Sequence, residues 1–298
     1  MNAGLPAAIS ATLADLPPAA AERLATALRE PDPGVRQTTS AAGIPFASLA
    51  WGEPSDRPLV LIHGITASAR LWWRVGPALA ATGRRVVAVD QPGHGSTGHW
   101  AGRHRFRETA ADIAAWTRAA GLDVPELQVV GHSWGAMTAA ALPVARIRPA
   151  TLVLLDPPAV SHAVISQLVN DPSEQVYPDI ATASAVLTAA NPAWSAEDVQ
   201  AKAEGLVQLD AAAALSVLLE NGDWDGGLAD ISDPAADGVP VWVIRGDPAT
   251  GSLLPDPAIP GFAARIGADH SLTLAGAPHS PQRTHPEATT LALLRALG

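Results

Sequence analysis

Cysteine is absent from this sequence of 298 residues, and basic residues are scarce. The absence of cysteine excludes disulfides, thiolate catalysis and metal sites built from cysteine. The chain has 19 Lys and Arg residues and 29 Asp and Glu residues, for a formal net charge of −10, and the basic residues form no cluster. Such a charge is not typical of proteins that bind nucleic acids or anionic membranes, so we expect no partner of either kind.

Long apolar runs are also missing, because no segment approaches the roughly 20 apolar residues that a membrane-spanning helix requires. The first thirty residues have no basic residue before Arg23, and Asp15 interrupts their apolar stretch. A signal peptide has a basic start and an uninterrupted apolar core, so we expect none and predict a cytoplasmic protein. The hydrophobic content of 48% is enough to fill a large core, which disordered chains lack.

Segments typical of strands and of helices alternate along the chain. Short apolar runs predict strands at 45–51, 58–62, 86–90, 127–131, 151–156, 239–245 and 271–275. Amphipathic segments predict helices at 68–81, 107–120, 135–147 and 286–297. This alternation is typical of the α/β class, with a mostly parallel, doubly wound sheet covered on both faces. Residues 1–40, with a proline-bracketed helical pattern at 17–33, are predicted to form an N-terminal helical extension.

The alternation is interrupted between Asp156 and Val239, where helical patterns occur without a convincing strand. An ordinary connection has a median length of about 4–6 residues, so this interval is an insertion. We interpret residues 158–236 as a helical cap inserted after the sixth strand, over the carboxyl ends of the strands, where α/β sheets bind ligands. The alternative is a decoration far from the site. The core would then comprise residues 41–157 and 237–298.

A Gly-x-Ser-x-Gly sequence, residues 131–135 (GHSWG), lies between the apolar run 127–130 and the helical pattern 136–147. A strand, a tight turn and a helix form a nucleophile elbow, which places the serine hydroxyl above a parallel sheet. The two glycines are needed because side chains there would collide with the neighbouring strand and helix, and the turn is strained. This context predicts Ser133 as a nucleophile, and Pro143 is expected to kink or shorten the helix.

A serine nucleophile needs a histidine base, and the base needs an acid that orients it. His279 follows the last predicted strand, and Asp247 follows the strand before it. The chain order Ser133, Asp247, His279 is the one expected when the three groups follow strands of a parallel sheet. The sequence therefore predicts Ser133, Asp247 and His279 as the catalytic residues.

With these residues, the sequence resembles the α/β-hydrolase superfamily, in particular its carboxylesterase-like serine hydrolases with a helical cap. The resemblance covers about residues 40–298. The segment 63–66 (HGIT) is similar to the oxyanion-loop motif of the family, and the segment 90–96 (DQPGHGS) is similar to its acidic-glycine turn. The resemblance implies an oxyanion hole formed by the backbone N–H groups of Ile65 and Trp134, and no cofactor.

Two other aspartates are alternatives for the acid. The family often places its acid a few residues beyond the glycine, whereas Asp247 follows Gly246 directly, so Asp256 is a weak alternative. Asp156 ends the strand after the elbow, where some family members place their acid. Its purely structural interpretation is that it binds nearby backbone amides before the Pro157-Pro158 turn.

Other patterns have simpler interpretations. The segment 93–98 fits Gly-x-Gly-x-x-Gly, but no helix follows at once, as a dinucleotide site requires. His94, His99 and His104 recur in this loop without the carboxylates or cysteines of a zinc site, so we expect no metal. His63 and His132 are expected to stabilise loops rather than to transfer protons. The residues expected to contribute to a substrate pocket are His63, Trp72 and Trp194.

The predicted function is hydrolysis of carboxylic esters of small to medium, fairly apolar substrates through an acyl-enzyme. Lactone, thioester, amide or C–C bond hydrolysis and perhydrolysis are alternatives on the same triad. The elbow also resembles that of proline-releasing aminopeptidases, which would need acidic residues for the substrate amine. Epoxide hydrolases use an aspartate nucleophile, which Ser133 disfavours. A small-ligand receptor with this fold is the alternative from a different class.

Overall fold

The computed structural model of the protein describes residues 16–298. The prediction that the chain has no signal peptide concerns in part residues 1–15, which lie outside the described residues. In the described part, no helix is both long and apolar enough to cross a lipid bilayer.

Eight strands form one sheet, and two short strands form a separate pair. The strands are Val35–Ala41 (β1), Ile44–Trp51 (β2), Arg57–Ile62 (β3), Arg84–Val89 (β4), Gln128–His132 (β5), Thr151–Leu155 (β6), Ala159–Val160 (β7), Trp224–Asp225 (β8), Val241–Arg245 (β9) and Ser271–Thr273 (β10). The order in the large sheet is β1-β2-β4-β3-β5-β6-β9-β10, and β7 pairs with β8. The pairs β1–β2 and β2–β4 are antiparallel, and every other pair in the large sheet is parallel.

Helices connect the strands and cover the sheet. They are Pro18–Arg29 (α1), Val75–Ala80 (α2), Phe106–Ala119 (α3), Trp134–Ala140 (α4), His162–Gln167 (α5), Ile180–Ala190 (α6), Ala196–Val207 (α7), Ala211–Glu220 (α8), Leu228–Ile231 (α9), Ile259–Ile266 (α10), Pro281–Thr284 (α11) and Pro286–Leu297 (α12). The mostly parallel, doubly wound sheet predicted from the sequence is confirmed.

Both faces of the sheet are buried, because the central strands are apolar at successive positions. Val129 belongs to a core cluster that includes Ile113 and Trp116 of α3. Its neighbour Val130 points to the opposite face and belongs to a second cluster, which includes Leu291 of α12. Alternate side chains of one strand thus enter two different cores. Full burial of each Leu, Ile or Val side chain contributes about 1.5–3 kcal/mol.

Parallel pairing brings the carboxyl ends of the central strands to one edge. His132 of β5 lies opposite Leu155 of β6, and Leu155 lies opposite Ile244 of β9. The residues that follow these strands, Ser133 and Asp156 among them, therefore lie side by side. Ligands bind at this edge in α/β sheets.

One strand of the sheet, β1, was not predicted from the sequence. β1 is exposed over most of its length and carries polar residues on both faces, so it has no apolar alternation that predicts a strand. The N-terminal extension expected to be helical therefore contains α1 and an edge strand of the core sheet. The helix after the elbow ends at Ala140, before Pro143, as the proline predicts.

The interval after β6 is mainly helical, as expected, and is called the helical insertion (residues 158–236) below. Each of its three longest helices begins at a side chain that accepts a hydrogen bond from a first-turn N–H group: Asp179 for α6, Ser195 for α7 and Asp210 for α8. These caps define where the helices begin. The short pair β7–β8 is an addition that no sequence pattern indicated.

Candidate active site

Ser133 lies in a strained turn between β5 and α4, with φ 55° and ψ −126°. A Cβ atom on Gly131 would collide with the carbonyl of Gly135, and one on Gly135 would collide with the carbonyl of His63. Both glycines are therefore required by the close approach of α4 to the strands. The turn leaves Ser133 at the N-terminus of α4, above the sheet edge.

His279 joins Ser133 to Asp156. Its Nε2 accepts from the Ser133 hydroxyl at 2.9 Å, and its Nδ1 donates to Oδ2 of Asp156 at 2.6 Å. The imidazole is partly accessible, with 27% of its side chain exposed, whereas Asp156 is fully buried. The three side chains therefore form a continuous hydrogen-bonded chain from a buried carboxylate to a reachable hydroxyl.

Asp156 is held as a carboxylate by four donors. Besides His279, it accepts from the backbone N–H groups of Gly246 at 2.8 Å and Leu253 at 3.0 Å, and from the hydroxyl of Ser252. Burial alone would raise the pKa of this carboxyl group, but the His279 ring and the other donors lower it below its usual value. Asp156 is therefore ionised at neutral pH, as a group that orients an imidazole must be.

Asp247 does not contact His279, and the expectation that it is the acid of the triad is corrected. Its carboxylate turns to the surface and accepts from the N–H groups of Ala249 at 2.9 Å and Gly276 at 3.0 Å. Those two bonds lower the pKa of Asp247 and tie together the loops after β9 and β10. Asp256 is exposed and forms an ion pair with Arg245.

The loop after β3 is fixed by a buried histidine. His63 donates from Nδ1 to the Gly64 carbonyl at 2.6 Å and accepts at Nε2 from the N–H group of Gln91 at 2.9 Å. Burial lowers the pKa of His63 to about 4, so the ring is neutral and carries its proton on Nδ1. This ring stabilises the loop, as the sequence predicted, and does not line the cavity described below.

His132 supports the loop that carries His279. It is buried, and its Nε2 donates to the backbone carbonyl of His279 at 2.8 Å, with the two ring centroids 5.0 Å apart. Burial, together with the neighbouring His279, lowers the pKa of His132 to about 3, so this ring stays neutral. It positions the loop that carries His279.

A cavity of about 260 Å³ lies beside Ser133 and His279. Part of its wall comes from the sheet edge and part from the helical insertion, whose apolar lining residues include Ile165, Leu168, Trp194 and Trp224. Of the three expected pocket residues, Trp194 lines this cavity. Trp72 is instead fully buried in the core beneath the sheet, and His63 is buried in its loop. A larger groove, of about 770 Å³ beside α1, contains none of the triad residues.

Charged side chains on the cavity wall were not foreseen. Lys202 and Arg283 both line the cavity and are each only 5% exposed, and Glu174 and Asp171 line it as well. Lys202 donates to Glu174 and to the hydroxyl of Thr66, at 2.8 Å in each case. Sequence reasoning missed them because burial of an isolated Lys or Arg on a helix leaves no local signal.

The glycine-rich loop after β4 has a structural role. Asp90 accepts from the N–H groups of Ala69 and Ser96, and a Cβ atom at Gly95 would collide with its carboxylate. His94 is fully buried, and its pKa is lowered well below the usual value by burial. Within the described residues, no group of three or more His, Cys, Asp or Glu side chains could hold a metal ion.

Comparison with known proteins agrees with this architecture. The family model described as alpha/beta hydrolase fold matches residues 57–200. A solved structure of E-2-(acetamidomethylene)succinate hydrolase superposes with a TM-score of 0.73 at 21% identity, over 88% of this chain and 98% of that chain. These similarities show that the protein has the α/β-hydrolase fold, and residues 57–200 match the model of that family.

Among curated proteins, epoxide hydrolase B of Mycobacterium tuberculosis is 37% identical over 109 residues, which are 35% of this chain and 30% of that protein. A non-heme chloroperoxidase of Streptomyces lividans is 34% identical over 126 residues, 41% of this chain and 45% of that protein. The chain thus spans less than half the length of either relative.

Proposed function

We propose that this protein hydrolyses carboxylic esters through an acyl-enzyme on Ser133. The observation that carries the proposal is the chain of two hydrogen bonds, 2.9 Å from Ser133 to His279 and 2.6 Å from His279 to Asp156. This arrangement of hydroxyl, imidazole and carboxylate is the one that acyl transfer by serine requires.

In the proposed reaction, Oγ of Ser133 attacks the ester carbonyl while Nε2 of His279 takes the hydroxyl proton. Asp156 holds the proton on Nδ1 and stabilises the imidazolium that forms. His279 then returns the proton to the leaving alkoxide, which departs as an alcohol. Water, activated by the same ring, hydrolyses the acyl-enzyme and restores Ser133.

The negative charge of the tetrahedral intermediate is assigned to an oxyanion hole formed by the N–H groups of Ile65 and Trp134. Neither N–H group has a hydrogen-bond acceptor within the described residues; Trp134 follows Ser133 in the chain, and Ile65 lines the same cavity as Ser133. The N–H group of Trp134 lies in the first turn of α4, where the helix dipole favours negative charge. Each such donor typically contributes about 10²–10³ in rate.

Epoxide hydrolysis, the activity named for one relative, is disfavoured because it uses an aspartate nucleophile, and the elbow carries Ser133. We assign to the helical insertion the role of a cap, since it supplies much of the cavity wall. The cavity volume of about 260 Å³ falls below the 300–1,000 Å³ typical of ligand sites, which favours small acyl groups.

The experiment that tests this proposal is hydrolysis of p-nitrophenyl esters from acetate to decanoate. The wild type is compared with Ser133→Ala and with the matched control Ser55→Ala, whose residue is exposed and far from the cavity. We expect turnover that is highest for short acyl chains, is unchanged in the control, and falls at least about 10³-fold in Ser133→Ala. Equal turnover in wild type and Ser133→Ala, or none by the folded wild type, would refute ester hydrolysis by Ser133.

A further inference from the structure

Arg283 is a buried cation beside the candidate nucleophile. It lies in α11, four residues after His279, and its side chain lines the same cavity as Ser133. Burial lowers the pKa of its guanidinium to about 10, which still leaves the group protonated at neutral pH. A buried charge costs several kcal/mol unless it is paired, so its partners matter.

Within the described residues, few groups contact the guanidinium of Arg283. Nη1 of Arg283 donates to the backbone carbonyl of Asp198 at 2.9 Å, and the guanidinium carbon lies 4.7 Å from the centroid of the Trp194 ring. Within residues 16–298, Arg283 forms no salt bridge, that is, no nitrogen–carboxylate contact of 4.0 Å or less. A guanidinium has five N–H donors, and in this part of the chain one of them has an acceptor.

The carboxylate of Asp198 is occupied by other donors. It accepts from Nε1 of Trp73 at 2.9 Å and from the hydroxyl of Ser195 at 2.8 Å, and it lies 3.7 Å from Arg74. These contacts occupy the carboxylate of Asp198, which acts on Arg283 only from beyond salt-bridge distance. The backbone carbonyl and the Trp194 ring fix the direction of the guanidinium but do not neutralise it.

Lys202, by contrast, is a cation of this cavity whose charge is compensated by a carboxylate. It is the only lysine of the sequence, and it forms a 2.8 Å ion pair with Glu174 from the helical insertion. Asp171 also lines the cavity. The cavity wall thus combines one internal ion pair with one cation, Arg283, that has no carboxylate within 4.0 Å in the described structure. Asp198 and Glu174 act on its charge only from beyond that distance.

We propose that Arg283 binds a carboxylate of the substrate, and that the substrates are small esters whose acyl group carries a second, free carboxylate. This inference rests on the proposed function. A guanidinium and a carboxylate form paired, charge-assisted hydrogen bonds, and the planar fork of Arg suits that geometry better than Lys does. With monoethyl glutarate, for example, the ethoxy group leaves as ethanol, and water then releases glutarate from Ser133.

The test compares esters that differ in charge at the far end. The anionic series is monoethyl succinate, glutarate and adipate, the neutral match is ethyl pentanoate, and the cationic match is ethyl 4-(trimethylammonio)butanoate. Ethanol release gives kcat and KM for each. A charge-assisted contact of this kind changes kcat/KM by about 10- to 100-fold, so we expect the wild type to prefer the best anionic ester to the neutral one by that factor.

Arg283→Gln is expected to remove this preference, by raising KM for the anionic esters about 10- to 100-fold while leaving ethyl pentanoate within about threefold. Arg283→Lys keeps the charge without the fork and is expected to retain part of the preference. The matched control is Arg36→Gln, an exposed residue on the edge strand β1, which should change none of the esters.

Equal losses for anionic and neutral esters in both Arg283 variants would mean a structural role and would overturn the proposal. Preference for the cationic ester would also overturn it, because Glu174 and Asp171 would then set specificity.

A binding measurement separates this inference from the proposed function. Titration of glutarate into Ser133→Ala by calorimetry should show binding that Arg283→Gln in the same background loses. Retained glutarate binding without any esterase activity in the wild type would refute ester hydrolysis but keep the anion site. Esterase activity on neutral esters with no glutarate binding would refute the anion site alone.

Discussion

Replacement of Asp156 by Asn, compared with the same change at Asp247, tests which of these two aspartates is the acid. In the native site, Oδ1 of Asp156 accepts from Gly246 and Ser252, and Oδ2 accepts from Leu253 and His279. Asparagine keeps one acceptor oxygen and presents an NH₂ group in place of the other. In either orientation, a donor of the amide meets a donor of the protein.

The catalytic consequence follows from the tautomer of His279. An asparagine NH₂ group facing Nδ1 requires that nitrogen to accept, so the ring proton moves to Nε2. A ring protonated at Nε2 cannot take the proton of Ser133. The change of acid to amide in a serine triad typically lowers kcat by about 10⁴, and we expect about 10³–10⁴ here, or about 4–5.5 kcal/mol of transition-state stabilisation.

The matched variant is Asp247→Asn. Asp247 accepts from two backbone N–H groups at the surface and has no contact with the imidazole, so kcat is expected to stay within about threefold. Both variants are assayed on the best p-nitrophenyl ester, with circular dichroism and thermal melting to verify folding. A folded Asp156→Asn enzyme with near-native kcat, or a folded Asp247→Asn enzyme that loses 10³-fold, would refute the assignment of the acid.

Two further predictions concern the scaffold of the site. Gly135→Ala places a Cβ atom against the carbonyls of Ile62 and His63, so urea unfolding should show that the free energy of unfolding falls by about 3 kcal/mol or more. For Gly83→Ala, where nothing lies within 4 Å of the added Cβ atom, we expect a decrease of about 1 kcal/mol. Equal losses in the two variants would contradict the steric reason. The pKa of His63 is lowered from 6.5 to about 4 by burial, so the unfolded chain takes up its proton first as pH falls, and stability is lost between pH 6.5 and 4. From pH 7.5 to pH 5.0 this titration lowers the free energy of unfolding by about 2 kcal/mol, and His63→Gln should lack that decrease. An unchanged pH dependence in that variant would show that His63 does not titrate as described.

The sequence predicted most of the sheet and two of the three hydrogen-bonded side chains of the candidate site, Ser133 and His279, because those features are local. The elbow needs small residues at 131 and 135 within one turn, and the order of strands and helices follows from apolar periodicity. Ser133 and His279 each follow a predicted strand directly. By contrast, β1 has an exposed polar surface, and its place in the sheet is determined by pairing with β2 rather than by its own pattern.

The cavity could not be predicted in the same way, because its lining depends on contacts between distant segments. Trp72 ends a short helical turn and Trp194 lies in the bend before α7, and although they are the same residue type, one fills the core and the other lines the cavity, against Arg283. No local pattern in the sequence distinguishes Arg283, and its burial results from packing against α7. The sequence-based expectation of a mainly apolar pocket therefore missed its charged wall.

The residues that follow two neighbouring strands, β6 and β9, explain why His279 bonds to Asp156 and not to Asp247. β6 and β9 pair in parallel, so the residues after them, Asp156 and Gly246, lie next to each other. Gly246 has no side chain, and a Cβ atom there would meet the carbonyl of Ala277 at 2.5 Å. The turn after β9 therefore approaches the loop of His279 with its backbone, and its N–H group donates to Asp156. The strand end where the sequence placed the acid instead supplies a hydrogen bond to Asp156, which follows the adjacent strand. Chain order contains no information on which of two neighbouring strand ends faces His279.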